Sequence, residues 1–134
     1  MIHLDTSFLV DVIRETRRNV AGPAREWLAA NPSEVIAISV PVLCELMVGA
    51  ALHAKPGEEL RRVERICAGL PVAQLDERVP AVFASAGADL IRKGAQVATM
   101  DLLIASIALA DGAALLTRNE RDFERIQGLK VITY

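Results

Sequence analysis

Four acidic side chains stand out in this sequence because, brought together, they could bind a divalent metal ion. They are Asp5, Glu45, Asp101 and Asp122. Converging carboxylates repel one another and raise each other's pKa values, and a divalent cation relieves that repulsion. A site of oxygen donors without His or Cys favours Mg²⁺ or Mn²⁺ over Zn²⁺. Such a site can activate a water molecule for attack on a phosphodiester, so the four acids predict a metal-dependent nuclease.

The first two acids follow predicted strands. Asp5 comes directly after the apolar segment 1–4, and a carboxylate at the end of a buried strand needs a cation or donors nearby. Glu45 lies in the first two turns of a helix that begins after Ser39, behind the β-branched segment 35–38. Helices that follow parallel strands start at one edge of the sheet, where ligands bind.

The other two acids lie in first helical turns. Asp101 follows Thr99, the expected cap of a helix over 100–110 that is apolar almost all round and therefore central. Asp122 lies in a short predicted helix over 119–126, after a strand over 113–116. All four carboxylates are therefore expected at the same edge.

The rest of the chain alternates strands and helices. The further predicted elements are helices over 8–13, 24–30, 58–68 and 78–92, strands over 70–73 and 130–133, and a loop or broken helix over 14–22. This alternation predicts an α/β fold with a parallel sheet covered on both faces. With 134 residues and no visible linker, residues 1–134 are expected to form one domain.

Composition restricts the possible partners. Hydrophobic residues make up 52% of the chain, and the formal charge of −2 gives no overall basic excess of the kind nucleic-acid binders usually carry. A local basic patch remains compatible with an acidic site. The candidate phosphate contacts are Arg14, Arg17, Arg18, Arg118 and Arg121.

Location is inferred from the cysteines and from hydropathy. Cys44 and Cys67 have no metal-ligand spacing and are interpreted as buried thiols of a cytoplasmic protein. No charged leader or long apolar segment is visible, so neither a signal peptide nor a transmembrane helix is expected.

Each acid also has a simpler interpretation. Asp101 could only stabilise the helix dipole, and Asp122 could close a capping arrangement with Asn119. Glu45 could be a solvated helix residue, whereas Asp5 is the hardest to explain without a ligand. Asp11 is interpreted as solvated.

These residues resemble the PIN-domain ribonucleases, above all the toxin component of VapBC-type toxin–antitoxin systems. The resemblance runs through the whole chain in order. The segments that carry it are 1–7 with Asp5-Thr6-Ser7, 39–46 with Glu45, 101–105 beginning at Asp101, and 116–123 with Thr117-Arg118-Asn119 and Asp122.

The resemblance implies a three-layer α/β/α sandwich with a central parallel sheet of about five strands, and an Mg²⁺-dependent endoribonuclease. Asp5 and Asp101 would be the principal metal ligands, completed by Glu45 and Asp122. Supporting positions match Thr6, Thr117 and Asn119. Family members usually form homodimers and are neutralised by a small antitoxin whose carboxyl segment lies near the site.

Two other functions stay open at this point. A non-catalytic RNA-binding or regulatory PIN-like domain would use the same acids structurally. An aspartyl-phosphate phosphatase would use Asp5 as nucleophile, but that class needs a second acid two residues later, where this chain has Ser7.

Overall fold

A computed structural model describes every residue from Met1 to Tyr134, with a five-stranded sheet at its centre. The strands are β1 (Ile2–Leu4), β2 (Ile36–Ser39), β3 (Val72–Ala73), β4 (Ala114–Leu116) and β5 (Val131–Ile132). Their order is β3-β2-β1-β4-β5, and every neighbouring pair is parallel. The predicted parallel sheet of about five strands is confirmed.

Seven helices flank this sheet and complete the predicted α/β/α sandwich. They are α1 (Thr6–Arg18), α2 (Pro23–Ala30), α3 (Val40–Ala51), α4 (Pro56–Cys67), α5 (Val79–Arg92), α6 (Thr99–Ala110) and α7 (Glu120–Phe123). β1 and β4 are buried along their whole length, as expected for strands covered on both faces. Phe8 of α1 packs edge-to-face on Trp27 and Tyr134 and lies in the main core.

The first helix is longer than the sequence predicted. The loop or broken helix expected over 14–22 is wrong for its first part, because α1 continues to Arg18. Arg14 and Arg18 lie on its exposed face, so their charge does not oppose helix formation, and basic residues in a last turn favour the helix dipole. Asn19 then ends the helix in the left-handed conformation, with φ 53°.

A side chain of α1 also sets the start of α2. The carboxylate of Glu15 accepts hydrogen bonds from the backbone N–H groups of Ala24 and Arg25, at 3.1 and 2.9 Å. Free N–H groups at a helix start need such acceptors, and Gly22, the N-cap residue, supplies no side chain. A Cβ at Gly22 would lie 2.6 Å from Oε1 of Glu15, so a larger residue there would displace the Glu15 carboxylate from the helix start.

Two smaller expectations, the cap of α6 and the burial of Cys44, are corrected by the structure. Thr99 lies inside α6, and Ala98 is the N-cap residue instead. Cys44 is exposed on α3 rather than buried, whereas Cys67 is half-buried, and both are free thiols. None of the helices combines the length and apolar character needed to cross a membrane.

Candidate metal-binding site

The acidic residues lie around the point where the strand order reverses. From β1 the chain builds β2 and β3 on one side, and it then returns to add β4 and β5 on the other. The chain thus leaves β1 and β4 toward opposite edges of the sheet, and such a reversal leaves a crevice at the carboxyl ends of these two strands. Leu4 pairs with Leu116, so Asp5 and Thr117 follow them directly at this crevice.

Asp5 is buried and held by two hydroxyl groups. Its Oδ2 accepts hydrogen bonds from Ser7 Oγ and Thr117 Oγ1, each at 2.7 Å. Its backbone N–H donates to the carbonyl of Leu116 at 2.9 Å. A buried carboxylate needs such donors, and these bonds fix its orientation.

Glu45 reaches the site from the second turn of α3. Its Oε1 accepts a hydrogen bond of 2.6 Å from the hydroxyl of Thr6. Thr6 is the first residue of α1 and follows Asp5 directly. This bond therefore joins the start of α1 to α3 beside the first acid.

Asp122 is connected to the same crevice through Asn119 and Thr117. Asn119 Nδ2 donates to Asp122 Oδ2 at 3.0 Å, and the Asn119 backbone N–H donates to Thr117 Oγ1 at 2.9 Å. Asn119 is the N-cap residue of α7 but makes no side-chain capping bond to the helix backbone. Its side chain orients Asp122 instead.

Asp101 is affected by the charges of all three other acids. Partial burial and, after it, the charges of Asp5, Glu45 and Asp122 raise its pKa from an ordinary 3.8 to about 6. Because like charges disfavour ionisation, this shift indicates an accumulation of negative charge around the first turn of α6.

The four acids share one region without forming a finished ligand set. Hydrogen bonds within the chain engage one oxygen each of Asp5, Glu45 and Asp122 and none of Asp101. No three or more Asp, Glu, His or Cys side chains are placed closely enough to hold a metal ion as they stand. The donors are nevertheless all oxygens and carry excess negative charge, which fits a hard divalent cation.

A further acid beside the crevice was misjudged from the sequence. Asp11 is only 18% exposed rather than solvated, and both its oxygens accept from Nη1 of Arg118, at 2.6 and 2.7 Å. The hydroxyl of Tyr134 donates to Asp11 Oδ2 at 2.7 Å. Burial and, after it, this hydrogen bond raise the pKa of Tyr134, so its hydroxyl stays protonated and can donate. Sequence spacing gave no signal for these contacts, which join distant segments.

A polar pair of buried His3 and half-buried Asp111 lies outside the acidic site. His3 Nε2 lies 3.0 Å from Oδ2 of Asp111, the C-cap residue of α6, and Arg78 donates to the other oxygen of Asp111 at 2.6 Å. Burial lowers the pKa of His3. This pair joins β1 to the end of α6, opposite the helix terminus that carries Asp101.

Comparison with known proteins gives similarity over nearly the full chain. The family model of the PIN domain matches residues 2–129 of this chain. The chain is 31% identical to the tRNA(fMet)-specific endonuclease VapC of Salmonella typhimurium, over 96% of this chain and 93% of the relative. It is 33% identical to ribonuclease VapC2 of Rickettsia felis, over 78% of this chain and 76% of the relative. The crystal structure of VapBC2 from Rickettsia felis bound to a DNA fragment from their promoter matches with a TM-score of 0.90 and 27% identity, covering 100% of this chain and 99% of that chain.

Proposed function

The chain belongs to the PIN domain family, and from that premise we propose that it is an endoribonuclease that hydrolyses RNA phosphodiesters with a bound Mg²⁺ or Mn²⁺ ion. The observation that carries the proposal is the position of Asp5, Glu45 and Asp122 around the crevice where the strand order reverses, linked by hydrogen bonds through Thr6, Thr117 and Asn119. The charges of these acids also help to raise the pKa of Asp101. Carboxylates that repel one another at a strand-order switch favour a cation. The relatives named as endonuclease and ribonuclease support RNA as the substrate.

The chain's own residues divide the work. Asp5 and Asp101 would be the principal metal ligands, and Glu45 and Asp122 would complete the pocket directly or through water. When bound, a divalent cation lowers the pKa of water and offsets negative charge on the phosphoryl group. Hydroxyl and amide donors hold three of the carboxylates in place.

The supporting residues act through the acids. The Thr6 hydroxyl donates to Glu45 and so keeps it beside the start of α1. The Thr117 hydroxyl donates to Asp5 and accepts a hydrogen bond from the backbone N–H of Asn119. Asn119 in turn orients Asp122. Orienting partners of this kind commonly change metal affinity or activity by about 10–100-fold when removed.

The relatives also bear on the RNA target. The Salmonella typhimurium relative is named as specific for tRNA(fMet). The chain has few aromatic side chains for stacking single-stranded bases, 4% in all, which favours a structured RNA read by shape and backbone. A tRNA is therefore the first substrate to test.

We further propose that the protein is the toxin of a toxin–antitoxin pair and that a small antitoxin neutralises it. The structural relative is a VapBC2 complex, which supports a partner protein. Homodimer formation stays a prediction, checked by light scattering of the purified protein. Growth arrest on expression, relieved by a small neighbouring open reading frame, is the expected outcome for a toxin.

The deciding experiment measures cleavage of tRNA by the purified protein. We expect cleavage with Mg²⁺ or Mn²⁺, none in EDTA, and loss of activity in Asp5→Asn and Asp101→Asn. Glu64→Gln is the matched control, because Glu64 is an exposed acid on α4 without a hydrogen-bond partner. Full activity in EDTA would exclude the metal mechanism, and RNA binding without cleavage would favour the non-catalytic alternative.

A further inference from the structure

The loop after β4 places an arginine beside the hydroxyls that hold Asp5. The backbone N–H of Arg118 donates to Ser7 Oγ at 3.1 Å, and Ser7 Oγ donates to Asp5 Oδ2. The preceding residue, Thr117, donates to the same carboxylate oxygen. The backbone of Arg118 is therefore fixed directly to the surroundings of a proposed metal ligand.

The side chain of Arg118 is held separately. Its Nη1 bonds both oxygens of Asp11, while Nε and Nη2 make no hydrogen bond within the chain. The side chain is 56% exposed. Two nitrogen atoms of a fixed guanidinium can thus donate to a ligand that arrives from solvent. Such a pair of N–H groups suits the oxygens of a phosphate.

Asp11 is itself kept in position by a half-buried tyrosine. Tyr134 donates its hydroxyl to Asp11 Oδ2, and its ring packs edge-to-face on Phe8, with ring centres 4.8 Å apart. Phe8 is a core residue. The arrangement Phe8–Tyr134–Asp11–Arg118 therefore connects the core to an exposed cation.

The face of α1 that carries Ser7 and Asp11 also carries two more arginines. Ser7, Asp11, Arg14 and Arg18 recur at the three- and four-residue spacing of one α-helical face. At the end of this face that is farther from Ser7, Arg14 and Arg18 line a surface crevice of about 340 Å³. We call this exposed strip of Arg118, Arg14 and Arg18 the arginine ridge. Asp11 and Glu15 lie beside it, and Nη1 of Arg14 is 3.9 Å from Oδ1 of Asp11, so three arginines against two acids leave a net positive charge.

Arg17, by contrast, points to another face of α1 and is neutralised there. Its Nη2 lies 2.6 Å from Oε1 of Glu59, whose side chain is only 6% exposed. This pair holds Arg17 against α4, so Arg17 does not belong with the arginines beside Ser7 and Asp11. The structure thus sets Arg17 apart from the other candidate phosphate contacts, and Arg121 is exposed on α7.

We propose that the arginine ridge binds the RNA backbone next to the acidic site, and that Asp11 and Tyr134 position Arg118 for the phosphate nearest that site. This inference rests on the proposed function. Arg118 here contacts the substrate, whereas Asp11 and Tyr134 act through it. The ridge offers the local positive charge that the overall charge of −2 does not reveal.

The test measures binding of labelled bulk tRNA in EDTA over a series of salt concentrations. Arg118→Ala should weaken binding about tenfold, as expected for loss of one charge-assisted bond. It should also reduce the slope of log affinity against log salt by about 1. Arg92→Ala, which removes an exposed arginine at the end of α5, is the matched control and should leave both unchanged. Equal binding by the two variants would overturn the proposal.

Two further variants test the positioning. Tyr134→Phe keeps the ring on Phe8 and removes only the hydroxyl, so it should weaken tRNA binding in the wild type but not in Arg118→Ala. Asp11→Asn removes a negative charge, which by charge alone would strengthen binding; we expect weakening instead. A melting temperature lowered by Tyr134→Phe with unchanged tRNA binding would show that the contact only stabilises the fold and would overturn the positioning role.

The proposed nuclease function is measured independently in the same proteins. If the wild type cleaves tRNA with Mg²⁺ while Arg118→Ala matches Arg92→Ala in binding, only the arginine ridge is overturned. If the wild type binds tRNA through Arg118 but does not cleave it, the ridge is supported and the nuclease proposal is overturned.

Discussion

Thr117 Oγ1 lies 2.7 Å from Asp5 Oδ2, although 112 positions separate the two residues in sequence. Thr117 is fully buried and Asp5 nearly so. The bond joins the ends of β1 and β4 where the strand order reverses. The geometry of the first acid therefore depends on a hydroxyl from the other side of the sheet.

Replacing that hydroxyl tests the dependence. Thr117→Val preserves the shape of the side chain but removes the donor to Asp5 and the acceptor for the Asn119 N–H. We expect cleavage of tRNA or Mg²⁺ affinity to fall about 10–100-fold. The free energy of unfolding should fall by about 1–3 kcal/mol, because buried polar groups lose a partner.

Thr133→Val is the control for that change, since Thr133 is exposed near the carboxyl end. Cleavage is measured across an Mg²⁺ titration, and stability is measured by urea unfolding. An unchanged Mg²⁺ midpoint in Thr117→Val would show that the hydroxyl does not organise the site.

Stability of the metal-free protein should depend on pH through Asp101. Its pKa of about 6 in the folded protein lies above its ordinary value of 3.8, so the folded state holds the proton more tightly than the unfolded state. Asp101 then lowers the stability as pH rises from about 4 to about 6, and the loss persists above pH 6.

The comparison with Asp101→Asn isolates this effect from other titrating groups. The difference in free energy of unfolding between wild type and variant should turn against the wild type across that pH range. Urea unfolding in EDTA at several pH values measures it. A difference independent of pH would show that the neighbouring charges do not act on Asp101.

Bound Mg²⁺ should reverse the loss of stability that ionised Asp101 causes. A cation that binds the folded state only raises the melting temperature, and it must displace the proton of Asp101 to do so. We expect the rise to be large at pH 8, small at pH 5, and absent in Asp101→Asn. Glu64→Gln should respond like wild type, and an equal response of Asp101→Asn would exclude Asp101 as a ligand.

Glu15 provides a prediction about the fold alone. Glu15→Ala removes the acceptor for the N–H groups of Ala24 and Arg25 and should cost about 1–2 kcal/mol of stability, as loss of a helix cap does. Glu26→Ala, at an exposed position in the first turn of α2, should cost less. Urea unfolding compares the two, and equal losses would argue against the capping role.

Local sequence patterns predicted the sheet and the acid positions because both depend on short-range features. The apolar β-branched run 35–38 predicts a strand, which β2 forms over Ile36–Ser39, and parallel strands bring the residues at their carboxyl ends to one edge. The charges of Glu45 and Asp122 act on Asp101 because of that topology rather than any single motif, and a shared metal ion stays a prediction.

The partners of Asp11 could not be predicted in this way. Its contacts come from Arg118 and Tyr134, more than a hundred positions away, and no periodicity connects such residues. The extension of α1 was missed because exposed arginines in a helix look like a polar loop when only the apolar residues are followed. Exposure of Cys44 depends on which face of α3 packs on its neighbours.

The strand order also sets when the site can exist during synthesis. β1 is made first, but its neighbour β4 and the residues Thr117 and Asp122 come from the last part of the chain. A ribosome that has released only the first hundred residues exposes Asp5 and Glu45 without Asp101, Asp122 and the Thr117 hydroxyl. The proposed metal site therefore cannot be complete until translation is nearly finished.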